Sequence, residues 1–304
     1  MLTHTRTQPR RTLRSAAVIR GVGLFTGTHT VATIHPAQAC CSGIHFRRVD
    51  AGASRILIPA DAAGVIPESR RTVLSADPAD KSAPTVQTVE HILSALAGLG
   101  VTDAIIDIDG PEVPIADGSA RPFVDEILDA EIVDLPGTHS PRTGAMVRSP
   151  IVIEDAANGW RIEALPSDQP GLHLTYHLKY PPGAPIPPQH AAFHLAAAPA
   201  DSAPDYAQHV APARTFCLLQ EAQAMRAMGL FAHVTPREMI VIGPDGPIDN
   251  PLRFPDEPAR HKLLDLLGDL SLCGRVIQGR VVATRTGHAQ NHAMAKALAA
   301  IPSA

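Results

Sequence analysis

The sequence predicts an α+β protein made of two similar domains, and three features carry that expectation. Its 304 residues are about twice a common domain length. Each half opens on β-type segments divided by turn residues and then passes into helices. The pattern H-x-L-x-x-L-x-G occurs in both halves, at 91–98 and at 261–268. Such an echo suits a duplication, although two leucine-rich helices can also share it by coincidence.

The elements follow in order. Between Ala16 and Asp50 the segments SAAVIRGVGLFTG, HTVATIHPA and GIHFRRVD read as three strands of an antiparallel meander. Gly21, Gly23 and Gly27 give GxGxxxG, which is not the dinucleotide spacing, and no βαβ unit follows. A helix is expected from Thr88, as N-cap, to Leu99. The strand AIIDID, the loop DGPEVPIADGS and a helix from about Arg121 to Ala130 come next. LPGTHSPRTGAMVR lacks an apolar period and reads as a linker, giving domains 11–137 and 149–304 with the linker at 138–148. The second half repeats the plan with strands IVIED, WRIEAL and LHLTYHL, the proline-rich loop YPPGAPIPPQ, and alternating helices and strands. His288 is expected in a loop after the strand VVATRTG, and its neighbour His292 reads equally well as a surface residue.

Composition excludes several function classes. A chain 45% hydrophobic and 18% charged has enough apolar residues for a core, while 29 prolines point to long loops. The net charge of -4 lacks the basic excess of a nucleic-acid binder. The longest nearly apolar stretch, Ile92 to Val101, is far short of the ~20 residues a transmembrane helix needs. Arg6, Arg10, Arg11 and Arg14 precede an apolar run that stops at Arg20, too early for a signal-peptide core, so a cytoplasmic protein is expected. Cys40, Cys41, Cys217 and Cys273 show no metal or disulfide spacing. The fifteen histidines stand out, because histidine both carries protons near neutral pH and binds metals.

Two histidines lie on the echoed helices. In the first, Val89, Ile92, Leu93 and Leu96 form the core-facing stripe, and His91 lies off it beside Glu90 and the small residues Ser94, Ala95 and Gly98. A neutral imidazole beside a carboxylate in a first helical turn suits a metal site. In the second, Leu263, Leu266, Leu267 and Leu270 form the stripe, while His261, Asp265 and Asp269 line up at four-residue intervals opposite. That polar face is either plainly solvated or a ligand surface. Should the helices face one another, His91, His261 and Asp265 supply two imidazoles and a carboxylate with a fourth position open, the ligand count of a catalytic zinc site. The same set suits iron(II).

TVEHILSALAGLG, DGPEVPIADGSARPF, ARTF, LRFPDEPARHKLLDLLGDL and TGHAQN, in this order, resemble the UDP-3-O-acyl-N-acetylglucosamine deacetylases, zinc amidases of lipid A biosynthesis. The resemblance runs from about Arg11 to the C-terminus and includes GVGLFTG and GIHFRRVD. It implies two domains, each a layer of helices against a sheet, with the site at the interdomain face. By position His91, His261 and Asp265 match the zinc ligands and Glu90 the general base. Thr215 matches the oxyanion-holding threonine and Phe216 its substrate-contacting neighbour. His288 matches a protonated histidine that serves the leaving amine, Asp269 the carboxylate orienting it, and Lys262 a lysine near substrate and acetate. An acylated UDP-sugar substrate is implied, its chain lying along Leu218, Leu219, Ala222, Met225, Met228, Leu230 and Phe231, residues that equally suit a plain amphipathic helix.

Departures from the family pattern occur around His233, Pro236 and Arg237, and at Arg71, which stands where a cysteine is frequent. They leave open a paralogue acting on another N-acetylated sugar nucleotide, or a non-catalytic binder of metal or lipid precursor.

Overall fold

A computed structural model describes residues 9–37, 42–50, 56–135, 144–236 and 238–302. Arg6, Cys40, Cys41, Arg237 and the expected linker up to residue 143 lie outside the described residues. The fold is α+β, with helices α1 (Glu90–Leu99), α2 (Arg121–Asp129), α3 (Ala203–His209), α4 (Leu219–Ala227), α5 (Glu257–Ser271) and α6 (His288–Ala299).

Each half is built on a five-strand path of the same topology. In the first, the spatial order is Ala17–Val22, His29–Pro36, Ala104–Ile108, Ile44–Arg48, Ile58–Pro59. In the second it is Ile151–Asp155, Trp160–Leu165, Val276–Thr284, Leu172–Leu178, Gln189–Leu195. In both, the last strand in sequence is inserted between the second and third, parallel to the third and antiparallel to the second. Every other neighbouring pair on these paths is antiparallel. The duplication is therefore one of topology, beyond the echo in two helices.

That inserted strand corrects the meander expectation. Ile44–Arg48 does not pair with His29–Pro36, because Ala104–Ile108 takes the place between them. The inserted strand is apolar except for Asp107, as suits a central strand covered by other elements, and its arrival from far along the chain is invisible to a local pattern. Gly144–Met146, within the segment read as a linker, forms a strand parallel to Val276–Gln278.

The helices meet between the sheets. α2 packs on the Ala17–Val22 strand, α5 packs on Leu172–Leu178 and Gln189–Leu195, and α1 packs on both α2 and α5. One apolar cluster consequently runs through both halves, from Ile34, Phe46 and Ile106 through Ile92 and Leu96 to Leu266, Leu174 and Val281. The two echoed glycines explain how closely the helices approach. A Cβ at Gly268 would stand 2.1 Å from the Glu90 carbonyl oxygen of α1, and one at Gly98 would stand 2.4 Å from the Tyr206 ring of α3.

Each half also carries an insertion between its edge strand and its helix α1 or α5. The first is a small antiparallel sheet of Val65–Ile66, Val73–Ser75 and Thr85–Gln87. The second holds Phe216–Leu218 and Ile240–Gly243, which are parallel, with α4 between them in sequence. These insertions deliver Thr72 and Phe216 to the helix interface.

Candidate active site

The α1–α5 contact brings the predicted ligands together. His91, His261 and Asp265 are buried, and their ligand atoms lie within 4.8 Å of one another. The two imidazole rings meet edge to face, their centroids 5.0 Å apart. Asp265 Oδ1 is 3.7 Å from His91 Nε2 and 3.5 Å from His261 Nε2. The other oxygen, Oδ2, accepts from Lys262 Nζ at 2.8 Å.

The donor set fits a metal ion. His261 donates Nδ1–H to the Ala213 carbonyl at 3.1 Å, which fixes the tautomer and leaves the Nε2 lone pair facing Asp265. Asp265 Oδ1 and His91 Nδ1 are buried without a hydrogen-bond partner. Such orphaned groups cost about 1–3 kcal/mol each, and for the carboxylate oxygen a cation is the natural partner. Burial first, and then the neighbouring His261, hold His91 far below the ordinary range, to about 3. His261 is also lowered, chiefly by burial. Both rings are therefore neutral at pH 7, the form that binds metals. Burial opposes the charge of Asp265, but the groups around it, with the Lys262 ammonium in direct contact, outweigh it and keep the carboxylate ionised.

Local structure sets each side chain. Thr88 is not the N-cap expected, since α1 starts at Glu90 with Val89 before it. Thr88 instead adopts a positive φ of 57° and donates its hydroxyl to Glu112 Oε1 at 2.7 Å. Glu112, from DGPEVP, also accepts from the backbone N–H groups of Phe25 and Thr26, pinning the GVGLFTG loop to the start of α1. At the other helix, Glu257 accepts from both the Arg214 backbone N–H, at 3.0 Å, and its guanidinium, at 2.8 Å, tying α5 to residues 213–216. The Phe216 ring thus stands edge-on to His261 at 6.2 Å, with Lys262 Nζ 5.8 Å from its centre. Thr215, one residue earlier, is fixed by donating its backbone N–H to Gly118 O at 2.7 Å.

A second group lies beside the first. Glu90 is buried, with Oε2 accepting from the Thr72 backbone N–H at 3.0 Å and Oε1 4.0 Å from His288 Nε2. Burial, reinforced by Asp265 and Asp269 and opposed by His288, raises its pKa to about 7. His288 is the first residue of α6 and is buried, not in a loop as expected. Gly287 forms the turn into that helix, donating its N–H to the Gln290 side chain at 2.9 Å. His288 donates Nδ1–H to Asp269 Oδ2 at 2.8 Å. Burial disfavours the imidazolium, but Asp269, and then Glu90, override it and raise the His288 pKa to about 9.

Sequence reasoning missed Thr72 and undervalued His292. Thr72 sits in SRRTVLS without any periodic signal, and His292 is buried rather than surface. The usable signal was GHAQNH, which puts two histidines four residues apart on one helical face.

The acyl-chain residues separate into groups. Leu218 and Phe216 pack on the main core, whereas Ala222 and Phe231, with Met225 and Leu230 against them, form a second apolar cluster with Leu24, Ile115 and Cys217. Leu219 is half-buried at the start of α4, and Met228, 66% exposed, is outside both clusters. In the departing segment, His233 donates Nε2–H to the Gly23 carbonyl at 3.0 Å, joining it to the GVGLFTG loop. Arg71 lies over the Phe25 ring at 4.2 Å.

Comparison with known proteins bears on this arrangement. The family profile described as LpxC, UDP-3-O-acyl N-acetylglycosamine deacetylase, matches residues 10–300. The curated UDP-3-O-acyl-N-acetylglucosamine deacetylase of Trichormus variabilis is 38% identical over 277 residues, covering 91% of this chain and 93% of its own. Those of Anaeromyxobacter dehalogenans and Myxococcus xanthus are 36% identical over 300 residues and 34% over 299. These two cover 97% and 96% of this chain, and 88% and 87% of their own.

Proposed function

The chain belongs to the UDP-3-O-acyl N-acetylglycosamine deacetylase family, and from that premise we propose that it is a cytoplasmic, zinc-dependent hydrolase of the N-acetyl group of UDP-3-O-acyl-N-acetylglucosamine. The products are acetate and UDP-3-O-acyl-glucosamine, a step of lipid A biosynthesis. The observation that carries the reading is the buried His91, His261, Asp265 group with its unpartnered carboxylate oxygen, set beside Glu90 and a charged His288.

In this reading His91, His261 and Asp265 hold zinc, iron(II) being an alternative occupant. When bound, such an ion polarises the amide carbonyl and eases the ionisation of water at neutral pH. Glu90, with a pKa near 7, takes the proton of the attacking water. His288, charged at neutral pH, stabilises the developing negative charge and passes a proton to the nitrogen as the C–N bond breaks. Asp269 orients His288, and the Thr215 hydroxyl donates to the oxyanion. Lys262, held against Asp265, offers its charge to substrate and acetate, while Phe216 contacts the substrate. Leu218, Leu219 and Met225 receive the acyl chain, a role that the second apolar cluster supports for Met225, which packs against it.

The test is an assay of purified protein with 3-O-acylated and unacylated UDP-N-acetylglucosamine, paired with elemental analysis. Glu90→Gln should keep its metal while turnover falls by roughly a hundredfold or more. Undiminished turnover in that variant removes Glu90 as the base, and preference for the unacylated compound overturns the substrate assignment.

A further inference from the structure

Among the described residues, two clusters of histidine and carboxylate occur in this interface. Asp269, His288 and His292 also place their ligand atoms within 4.8 Å of one another and are buried. Their hydrogen bonding distinguishes them from the first cluster. Asp269 Oδ1 accepts from the Thr72 hydroxyl at 2.6 Å and from His292 Nε2 at 3.2 Å. Oδ2 accepts from His288 Nδ1 at 2.8 Å and from Asn291 Nδ2 at 2.9 Å. These four donors fill the roughly four acceptor sites of a carboxylate, leaving none for an ion. Asp265 Oδ1, by contrast, has no hydrogen-bond partner.

Thr72 is the hinge of this network. Its single hydroxyl proton goes to Asp269, so His292, 2.9 Å from Thr72 Oγ1, must approach as an Nε2–H donor shared between that oxygen and Asp269. At the same residue, the backbone N–H holds Glu90 Oε2. Thr72 therefore touches both sides of the proton chemistry, Glu90 through its main chain and the Asp269–His288 pair through its side chain. It contacts neither reacting group's free atom, Glu90 Oε1 or His288 Nε2, which face one another at 4.0 Å.

We propose that Thr72 and His292 are positioning residues that hold Asp269 Oδ1, the oxygen not bonded to His288, so that the carboxylate keeps His288 presenting Nε2 toward Glu90, and that the Asp269–His288–His292 cluster holds no metal. This rests on the role given to His288 under the proposed function. The lock acts through orientation, because a carboxylate that has lost a donor on Oδ1 is freer to turn about its own axis and carry the imidazole with it.

Four variants in the metal-loaded enzyme test it. Thr72→Val and His292→Phe fill the space without the donors, whereas Thr72→Ser and His292→Gln restore a donor at nearly the same place. The first two should lower kcat by roughly tenfold or more with KM little changed, and the second two should recover most of that loss. In a His288→Gln background the same substitutions should add little further loss, since the route through His288 is already gone. Full additivity there overturns the proposal. A readout independent of turnover is the low-field proton NMR signal of the His288 Nδ1–H bonded to Asp269. It should persist in wild type, Ser and Gln proteins and be lost in Val and Phe, and its persistence in the latter pair also overturns the proposal. Should wild type show no deacetylase turnover, the proposed function fails, and this signal still decides the positioning claim. Should Thr72→Val not fold, the His292 pair decides it. Elemental analysis should give one equivalent of metal per chain in wild type and in His292→Gln, and a second equivalent lost only in the variant refutes the assignment.

Discussion

At the scale of residues, the proposed chemistry depends on two groups whose proton affinities are moved in the direction of that use. Glu90 is raised by burial until it can accept a proton near pH 7, and His288 is raised by Asp269 until it keeps one. The helix start at His288 would by itself favour the neutral ring, so the carboxylate 2.8 Å away has won against both the dipole and burial. A raised histidine pKa has a definite sign for stability. The contribution is fully present below the unfolded value of about 6.5 and is lost as the pH rises through about 9. The rate should follow the same limb, falling above pH ~9 as the imidazolium deprotonates. Asp269→Asn removes the charge that holds this proton, so the basic limb of kcat/KM should move to lower pH and the rate at pH 8 should fall by roughly a hundredfold. A pH–rate profile checks this, and an unmoved limb dismisses Asp269 as the source of the shift.

At the scale of elements, the echoed glycines matter for different reasons. Alanine ordinarily gains about 1 kcal/mol over glycine within a helix. At Gly268 the new Cβ would meet the main chain of α1 at 2.1 Å, and at Gly98 it would meet the Tyr206 ring at 2.4 Å. Overpacking of this kind costs about 1–3 kcal/mol, so both substitutions should lower the unfolding midpoint. Only Gly268→Ala should also weaken metal binding, because it separates the helix carrying His91 from the one carrying His261 and Asp265. Metal titration of the two variants is the check, and equal affinities contradict the view that the α1–α5 spacing sets the site. These two helices were legible in the sequence because a 3.6-residue period exposes both the apolar stripe and the polar residues off it. Other elements were less legible for physical reasons. The place of Ala104–Ile108 between two earlier strands is set by non-local pairing. Thr88, a good cap by type, is drawn away by a hydrogen bond to Glu112, distant in sequence from the helix it precedes. Thr72 reaches Glu90 and Asp269 only because a small sheet returns it to α1 and α5, and no local pattern announces that.

At the scale of the molecule, the repeated sheet topology could suggest two units able to stand alone, but the distribution of the core argues otherwise. Nine of the ten residues of α1 are buried, and the apolar cluster continues without a break from one half into the other. Neither half holds all three proposed ligands, since His91 comes from the first and His261 and Asp265 from the second. Where the chain is divided also matters. A cut after Gly144 would remove part of the strand that pairs with Val276–Gln278, so the second fragment must begin at or before Gly144. Fragments 1–137 and 138–304 satisfy that condition and separate α1 from α5. Expressed alone, each should fail to retain stoichiometric metal and should unfold without a cooperative transition, because each exposes the apolar face of its central helix. Co-expressed, they should associate through the α1–α5 contact and recover one metal per pair, since that contact alone brings the three ligands within reach of one ion. Size-exclusion chromatography with elemental analysis measures both results. Stoichiometric metal on either fragment alone would mean that the site does not require the meeting of the halves.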